Sequence, residues 1–148
     1  MPKTKFKFLE NIATADLAFE AFGKSYNELF ENAAYALESA MVNLDSLEAS
    51  QTSDTHLSAA NLESLLFNFL NELIFLKDSE QLLFKEFKCR IKETKEGKLW
   101  ELDVKLKGQK IDLNKQKLGM DVKAVTKHLF KVEELHSKTF RCLVILDV

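Results

Sequence analysis

Hydrophobic and polar residues alternate along this chain with two different periods, and the switch between them predicts the secondary structure. A period of two is typical of a half-buried strand, because successive side chains of a strand point to opposite faces. Two short strands are predicted near the start, a third before the second helix, and four in the second half. They cover residues 5–9, 15–22, 55–59, 82–93, 98–107, 122–132 and 139–146.

Two segments show the longer period of an amphipathic helix. Ser25, with Glu28 three residues later, forms the capping-box pattern that begins the first helix. Asn61 is a suitable N-cap for the second helix. This helix is predicted to end at Lys77 and the Asp-Ser pair that follows it. The apolar stripes consist of Leu29, Phe30, Ala33, Ala34, Leu37 and Met41 in the first helix, and of Leu62, Leu65, Leu66, Phe69, Leu70, Leu73 and Ile74 in the second.

The order of these elements predicts an α+β fold. Two amphipathic helices cannot bury their stripes alone, so we expect a two-layer structure, with a mostly antiparallel or mixed sheet covered on one face by both helices. The last four strands are expected to form a meander, with a hairpin turn at 93–98 that contains Gly97 and a second turn at Gly108. No linker or internal repeat divides the chain, so residues 1–148 are predicted to form one domain.

Composition narrows the functional classes. Of the 148 residues, 46% are hydrophobic and 30% charged, as in an ordinary globular protein. The four glycines form no phosphate-binding motif. Cys89 and Cys142 lack metal or redox spacing and are expected to be reduced core thiols. Since neither a signal peptide nor a membrane span is recognisable, we expect a cytoplasmic protein with no membrane partner.

The net charge of -2 conceals a basic segment. Residues 77–118 carry 12 Lys and Arg against 8 acidic residues. A basic face over residues 85–110 could bind RNA, but mixed charges of this kind are also typical of a solvated strand face. Both interpretations remain open from the sequence.

Candidate chemistry is concentrated in a few carboxylates. Asp16 begins the second strand and Asp147 ends the last, in "VILDV". If these two met at the rim of the sheet, they would repel unless a cation neutralised them, and oxygen ligands suit Ca²⁺, Mg²⁺ or Mn²⁺. Lys123 could supply the positive charge instead, and solvated carboxylates remain the alternative. Asp112, after a turn, and His128, among apolar neighbours, are further candidates.

Five stretches together resemble the archease family. They are "TADLAFEAFGKSYNELFENAAYAL", "NLESLLFNFLNELIFL", "KGQKID", "DVKAVTKH" and the closing "VILDV", in the family's order and at fitting spacing over nearly the whole chain. The short motifs "TAD" and "ILDV" are weak alone, whereas "VKAVT" followed by His128, together with both ends of the chain, makes the combination specific.

The resemblance implies a non-catalytic activator of a GTP-dependent RNA ligase of the RtcB type. Archease-like proteins promote transfer of GMP to the active-site histidine of the ligase and so sustain turnover in tRNA splicing or RNA repair, and some are described as chaperone-like. GTP would then be used by the ligase, and tRNA would be met only indirectly. In the family, the acids that match Asp16 and Asp147 bind a divalent cation, and the lysine that matches Lys123 is functionally important. For this chain we expect calcium, with magnesium or manganese as alternatives.

The sequence departs from the family pattern at three positions. Ala13 stands where a histidine is frequent, Gln116 where a histidine is common after the aspartate that matches Asp112, and Lys127 where a tyrosine is usual. Two other classes of function therefore stay open. One is a stand-alone metal-dependent phosphoesterase that uses Asp16, Asp112, Asp147 and His128, and the other is an RNA-binding module. The oligomeric state is not fixed by the sequence.

Overall fold

Seven antiparallel strands and two helices form the part of the chain that the computed structural model describes, namely residues 5–9, 16–136 and 138–148. The strands are β1 (Phe6–Leu9), β2 (Leu17–Gly23), β3 (Gln51–Ala59), β4 (Leu82–Glu93), β5 (Trp100–Lys110), β6 (Ala124–Glu134) and β7 (Phe140–Asp147). The helices are α1 (Tyr26–Met41) and α2 (Leu62–Glu80).

These strands form two sheets instead of one. One sheet has the order β1-β2-β7-β6 and the other the order β3-β5-β4. The α+β class and the antiparallel pairing are confirmed. The expected four-strand meander is wrong, because β5 and β6 lie in different sheets and only the hairpins β4-β5 and β6-β7 remain.

Gly108 lies inside β5, where a turn was predicted. A Cβ atom at this position would stand only 1.9 Å from the carbonyl oxygen of Leu83 on β4. Glycine is therefore needed for the close approach of two strands, next to a bulge between Phe84 and Glu86. The turn at Gly97 is confirmed, with a positive φ of 64°.

The helix starts are confirmed by their caps. The Ser25 hydroxyl accepts a hydrogen bond from the Glu28 N–H at 3.1 Å, and the Asn61 side chain accepts one from the Ser64 N–H at 2.8 Å. The predicted apolar stripes are buried, with Leu62 half-buried. They join both sheets to one hydrophobic core.

The predicted end of α2 is wrong. The helix continues through Lys77 to Glu80 and stops at Gln81, which has the left-handed φ of 56° typical of a helix C-terminus. Lys77 does not end the helix. It is 8% exposed, and its ammonium group donates hydrogen bonds to Asp121 and Val122, which lie far along the chain.

Strand β3 is longer than predicted, since it begins at Gln51 and not at residue 55. Its outward residues are polar and exposed, and its inward residues are half-buried. Residues 51–54 were left out of the predicted strand because they show no apolar period.

Strand β4 is completed by helix α1 instead of by another strand. The backbone N–H of Cys89 donates to the Glu31 carboxylate at 2.8 Å, and that of Ile91 donates to the Asn27 side chain at 2.8 Å. These acceptors lie one helical turn apart, so they follow the strand as a partner strand would. The free edge of β4 is therefore satisfied.

Helix α2 does the same for β6. Asn71 accepts a hydrogen bond from the Val125 N–H at 3.0 Å, and Glu63 accepts one from the Val132 N–H at 3.1 Å. Each helix thus covers one sheet edge as well as part of the core. In the described ranges, no helix is long and apolar enough to cross a membrane.

Glu38 on α1 is fully buried, which its sequence position did not suggest. One carboxylate oxygen accepts a hydrogen bond from the Phe84 N–H at 3.3 Å, beside the β4 bulge, while Oε2 has no partner. Burial, only partly opposed by that hydrogen bond and by the charge of Lys77, raises the pKa of Glu38 well above its usual value. A protonated carboxyl suits this environment.

Glu38→Gln should make the protein more stable at neutral pH. An acid whose pKa is raised by folding keeps its proton in the native state only, so stability falls as pH rises from about 4.5 toward the raised value. Within that window the slope is that of a single titrating carboxyl group. The glutamine variant should lack it. Urea unfolding between pH 4 and pH 8 measures the difference.

Glu86→Gln, at an exposed position on β4, is the matched control and should leave the pH profile parallel to that of the unchanged protein. If the Glu38→Gln profile also ran parallel, Glu38 would not be protonated in the native state.

Candidate functional site

Asp16 and Asp147 lie at the same end of the β1-β2-β7-β6 sheet. In the β2-β7 register, Leu17 stands opposite Leu146. Asp16 precedes Leu17 and Asp147 follows Leu146, so one further step of the antiparallel register sets the two aspartates opposite each other. Both residues are exposed.

Lys123 is brought to the same end. Its backbone N–H donates to the carbonyl oxygen of Asp147 at 2.8 Å, and Ala124 pairs with Asp147 at the start of β6. Lys123 is exposed as well. Three strand ends, from β2, β7 and β6, thus place Asp16, Asp147 and Lys123 at one rim, which is called the carboxylate rim below.

Lys77 anchors the segment that leads into this rim. Its ammonium group donates to the Val122 carbonyl at 2.7 Å and to the Asp121 carboxylate at 2.8 Å, and it lies 3.1 Å from Asp78. The hydrogen bond and the charge of Lys77 hold the pKa of Asp121 below its usual value. Since Asn71 binds Val125 on the other side, helix α2 fixes the backbone on both sides of Lys123.

The donor set at the rim is compatible with a hard cation. Two carboxylates and backbone carbonyls offer only oxygen, which Ca²⁺ and Mg²⁺ prefer, and water fills the remaining positions in such sites. Within residues 5–9, 16–136 and 138–148, no group of three or more His, Cys, Asp or Glu side chains is arranged to hold a metal. Ala13, where the family often has histidine, lies outside the described residues.

Asp112 lies in a turn, and its side chain accepts a hydrogen bond within that turn. One carboxylate oxygen accepts from the Asn114 N–H at 3.0 Å, and the Asp112 carbonyl accepts from the backbone of Lys115 and Gln116 at 3.0 Å each. Gln116 is 6% exposed, and its side-chain oxygen accepts a hydrogen bond from the Asp112 N–H at 3.1 Å. At this position the glutamine stabilises the loop.

His128 is exposed in an irregular part of β6. The pairing with β7 passes from Thr126–Ile145 to Lys131–Leu143, so residues 127–130 stand opposite the single residue Val144. Leu129 at the tip has a φ of 58° and is 51% exposed. The sequence predicted an ordinary strand here because its apolar pattern continues through the bulge.

Lys127 is turned toward helix α2. Its ammonium lies 5.2 Å from the centre of the Phe67 ring, and Phe67 packs edge-on against Phe130 at 5.5 Å. These residues, with Glu63 and Ser64, line an open cavity of about 210 Å³. The charge that replaces the usual tyrosine is therefore partly stabilised by an aromatic face.

The basic face predicted over residues 85–110 is the outer surface of the β3-β5-β4 sheet. Arg90 stands opposite Asp103, and Lys92 lies 3.9 Å from Glu101. His56 on β3 is hydrogen-bonded to Asp103 at 2.8 Å. Lys88 stands opposite Lys105, but the other pairs named here combine opposite charges. The face therefore resembles a solvated sheet surface more than a strip for a phosphate backbone.

Neither cysteine offers a reactive thiolate. Both are buried, and burial raises the pKa of Cys142 to about 12 and also raises that of Cys89. The expectation of core thiols is confirmed for both.

Sequence reasoning missed the residues that position the rim, above all Lys77 and Asn71. Asn71 does carry a signal, since it is a polar residue beside the apolar stripe of α2. Lys77 carries none, because a lysine near a helix C-terminus is ordinarily solvated.

Comparison with known proteins gives consistent matches. The model of the archease protein family (MTH1598/TM1083) matches residues 6–148. Protein archease of Pyrococcus abyssi is 35% identical over 135 residues, which cover 91% of this chain and 94% of the relative. Protein archease of Pyrococcus furiosus is 37% identical over 135 residues, which again cover 91% of this chain and 94% of the relative.

A solved structure supports the same assignment. The solution structure of Methanobacterium thermoautotrophicum protein 1598 superimposes with a TM-score of 0.84 at 32% identity, covering 97% of this chain and 99% of that one. The chain belongs to the archease family.

Proposed function

We propose that this protein activates a GTP-dependent RNA ligase of the RtcB type by promoting guanylylation of the ligase. Family membership supports the proposal, and the observation that carries it is the meeting of Asp16, Asp147 and Lys123 at one rim of the sheet. The carboxylate rim would dock near the nucleotide pocket of the ligase and help to position GTP or its metal ions. The chain itself would have no turnover.

A divalent cation fits this role. Asp16 and Asp147 would hold it between them, with Ca²⁺ favoured and Mg²⁺ or Mn²⁺ as alternatives. When bound, the cation would neutralise the two carboxylates and offer positive charge to phosphate oxygens. Lys123 would add a fixed positive charge beside it, as the family resemblance suggests.

A stand-alone phosphoesterase has less support. Asp112 is used in its own turn, His128 lies in the bulge, and the two thiols are buried. In the described part of the chain, these groups form no nucleophile–base arrangement with the rim carboxylates.

Asp147→Asn should abolish stimulation of the cognate ligase while leaving the fold nearly intact. The change removes one of two opposed carboxylates, yet Asp147 is exposed and its pairing uses only backbone atoms. The measurement is ligation in RNA excess with GTP and Mn²⁺, together with transfer of labelled GMP to the ligase. Asp45→Asn, at an exposed aspartate outside the rim, is the control and should stimulate normally.

Persistent stimulation by Asp147→Asn would contradict the role of the carboxylate. A cation titration by calorimetry separates binding from activation, because Asp16→Asn and Asp147→Asn should both lose affinity for Ca²⁺ if the rim holds the ion.

Lys77→Met should weaken both stability and activation. The buried Val122 carbonyl would lose its donor, which costs about 1–3 kcal/mol, and the segment before Lys123 would lose its anchor. Chemical denaturation measures the first effect and the ligase assay the second. Lys85→Met is the control, because Lys85 also donates to a backbone carbonyl, that of Leu47, but away from the rim. It should cost stability without reducing stimulation of the folded protein.

A further inference from the structure

Strand β3 forms a long sheet edge whose outward backbone N–H and C=O groups have no partner among the described elements. The edges of β4 and β6 are covered by acceptor side chains of α1 and α2. β1 has only four residues and carries Lys7, both of which discourage further pairing. β3 has nine residues and contains neither lysine nor proline.

The direction of the free backbone groups on β3 follows from its neighbours. On β4, the backbone N–H groups of Cys89 and Ile91 point to α1 and therefore away from β5. In an antiparallel pair, directly opposed residues both point toward each other or both point away. Their partners on β5, Val104 and Leu102, therefore form their backbone hydrogen bonds with β3. Val104 stands opposite Thr55. The odd-numbered residues of β3 therefore bond to β5.

The even-numbered residues of β3 present their N–H and C=O groups outward. Within the ranges described, no hydrogen bond reaches these backbone groups. Their side chains are exposed on the outer face of the sheet. They are Thr52, Asp54, His56 and Ser58.

We propose that the β3 edge pairs with the β3 edge of a second copy of this chain, antiparallel about a two-fold axis at Thr55. In this register Thr52 faces Ser58 and Asp54 faces His56 of the second copy, and each such pair exchanges two backbone hydrogen bonds. The two three-stranded sheets become one six-stranded sheet. The surface is self-complementary, as a two-fold interface requires.

Charge selects this register over its neighbours. A shift of the axis to Asp54 would set two carboxylates directly against each other, and a shift to His56 would oppose two imidazoles. With the axis at Thr55, a carboxylate meets an imidazole on both sides of the axis. The imidazole of His56 is held at the face by Asp103, so it is already oriented for this contact.

The interface is small, so the dimer is weak. One strand pair buries less surface area than a standard protein–protein interface does. We therefore expect a dissociation constant on the order of 10–100 µM. Sedimentation velocity over concentrations that span this value should show a monomer–dimer equilibrium. A protein that stays monomeric throughout would overturn the proposal.

Thr55→Cys gives the sharpest test of the register. Across the axis the two Cα atoms would be about 4.5 Å apart in a pair without hydrogen bonds, within the range of a disulfide. Mild oxidation should therefore cross-link this variant. Ser53→Cys and Leu57→Cys, on the same face, would place their Cα atoms about 13 Å apart and should not cross-link. A preference for either of these controls would overturn the proposed axis.

Asp54→Pro should weaken the dimer at least about tenfold, because it removes an outward N–H on both copies without removing a bond to β5. Asp54→Asn keeps that N–H and should change the dissociation constant by less than about threefold. Equal dissociation constants for the proline and asparagine variants would contradict edge pairing.

Stimulation of the ligase is a separate measurement, so failure of the dimer leaves the proposed function untouched. If the chain is monomeric alone and Thr55→Cys cross-links only to added ligase, a strand of the ligase occupies the edge and the proposal of a second copy is wrong.

Discussion

The fold depends on hydrogen bonds from strand edges to helix side chains. Both β4 and β6 end a sheet, and each has N–H groups that another strand would normally accept. Asn27 and Glu31 accept those of β4, and Glu63 and Asn71 accept those of β6. An unsatisfied buried N–H costs about 1–3 kcal/mol, so the part-buried contacts of Cys89, Ile91 and Val125 stabilise both sheet edges. They also explain why the strands divide into two sheets while sharing one core.

Much of the fold could be predicted from the sequence where local chemistry agrees with the final packing. The caps at Ser25 and Asn61, the stripes of both helices and the turn at Gly97 are local features, and all were confirmed. Gly108 and Lys77 were misread because their roles are tertiary: one allows a close approach to Leu83, and the other reaches residues more than 40 positions away. Division into two sheets was not predictable either, since the sequence does not show that a helix side chain such as that of Asn27 accepts a hydrogen bond from a strand.

In the candidate site, too, local features could be predicted from the sequence and tertiary contacts could not. Asp16 and Asp147 were paired from the sequence by family resemblance, and the β2-β7 register gives a physical reason for their proximity. Lys123 joins them because the backbone pairing of β6 with β7 extends to Asp147. The supporting contacts of Lys77 could not be foreseen. Nothing in the sequence marks the three-residue surplus of β6 around His128 either, since apolar residues continue through it.

The carboxylate rim is coupled to the pairing of two strands that lie far apart in the sequence. β2 belongs to the first strands and β7 closes the chain, so the rim exists only when the two ends of the sequence pair. Arg141 on β7 binds Glu20 on β2 and Glu133 on β6, the latter at 2.6 Å. An arginine fork between two carboxylates fixes the three strands in one register. Because a slip of one residue would move every side chain to the opposite face, this ion cluster and the rim at the other end of the strands depend on a single alignment. The geometry of the two aspartates is therefore set by the whole length of the strand pair and not only by the residues near them.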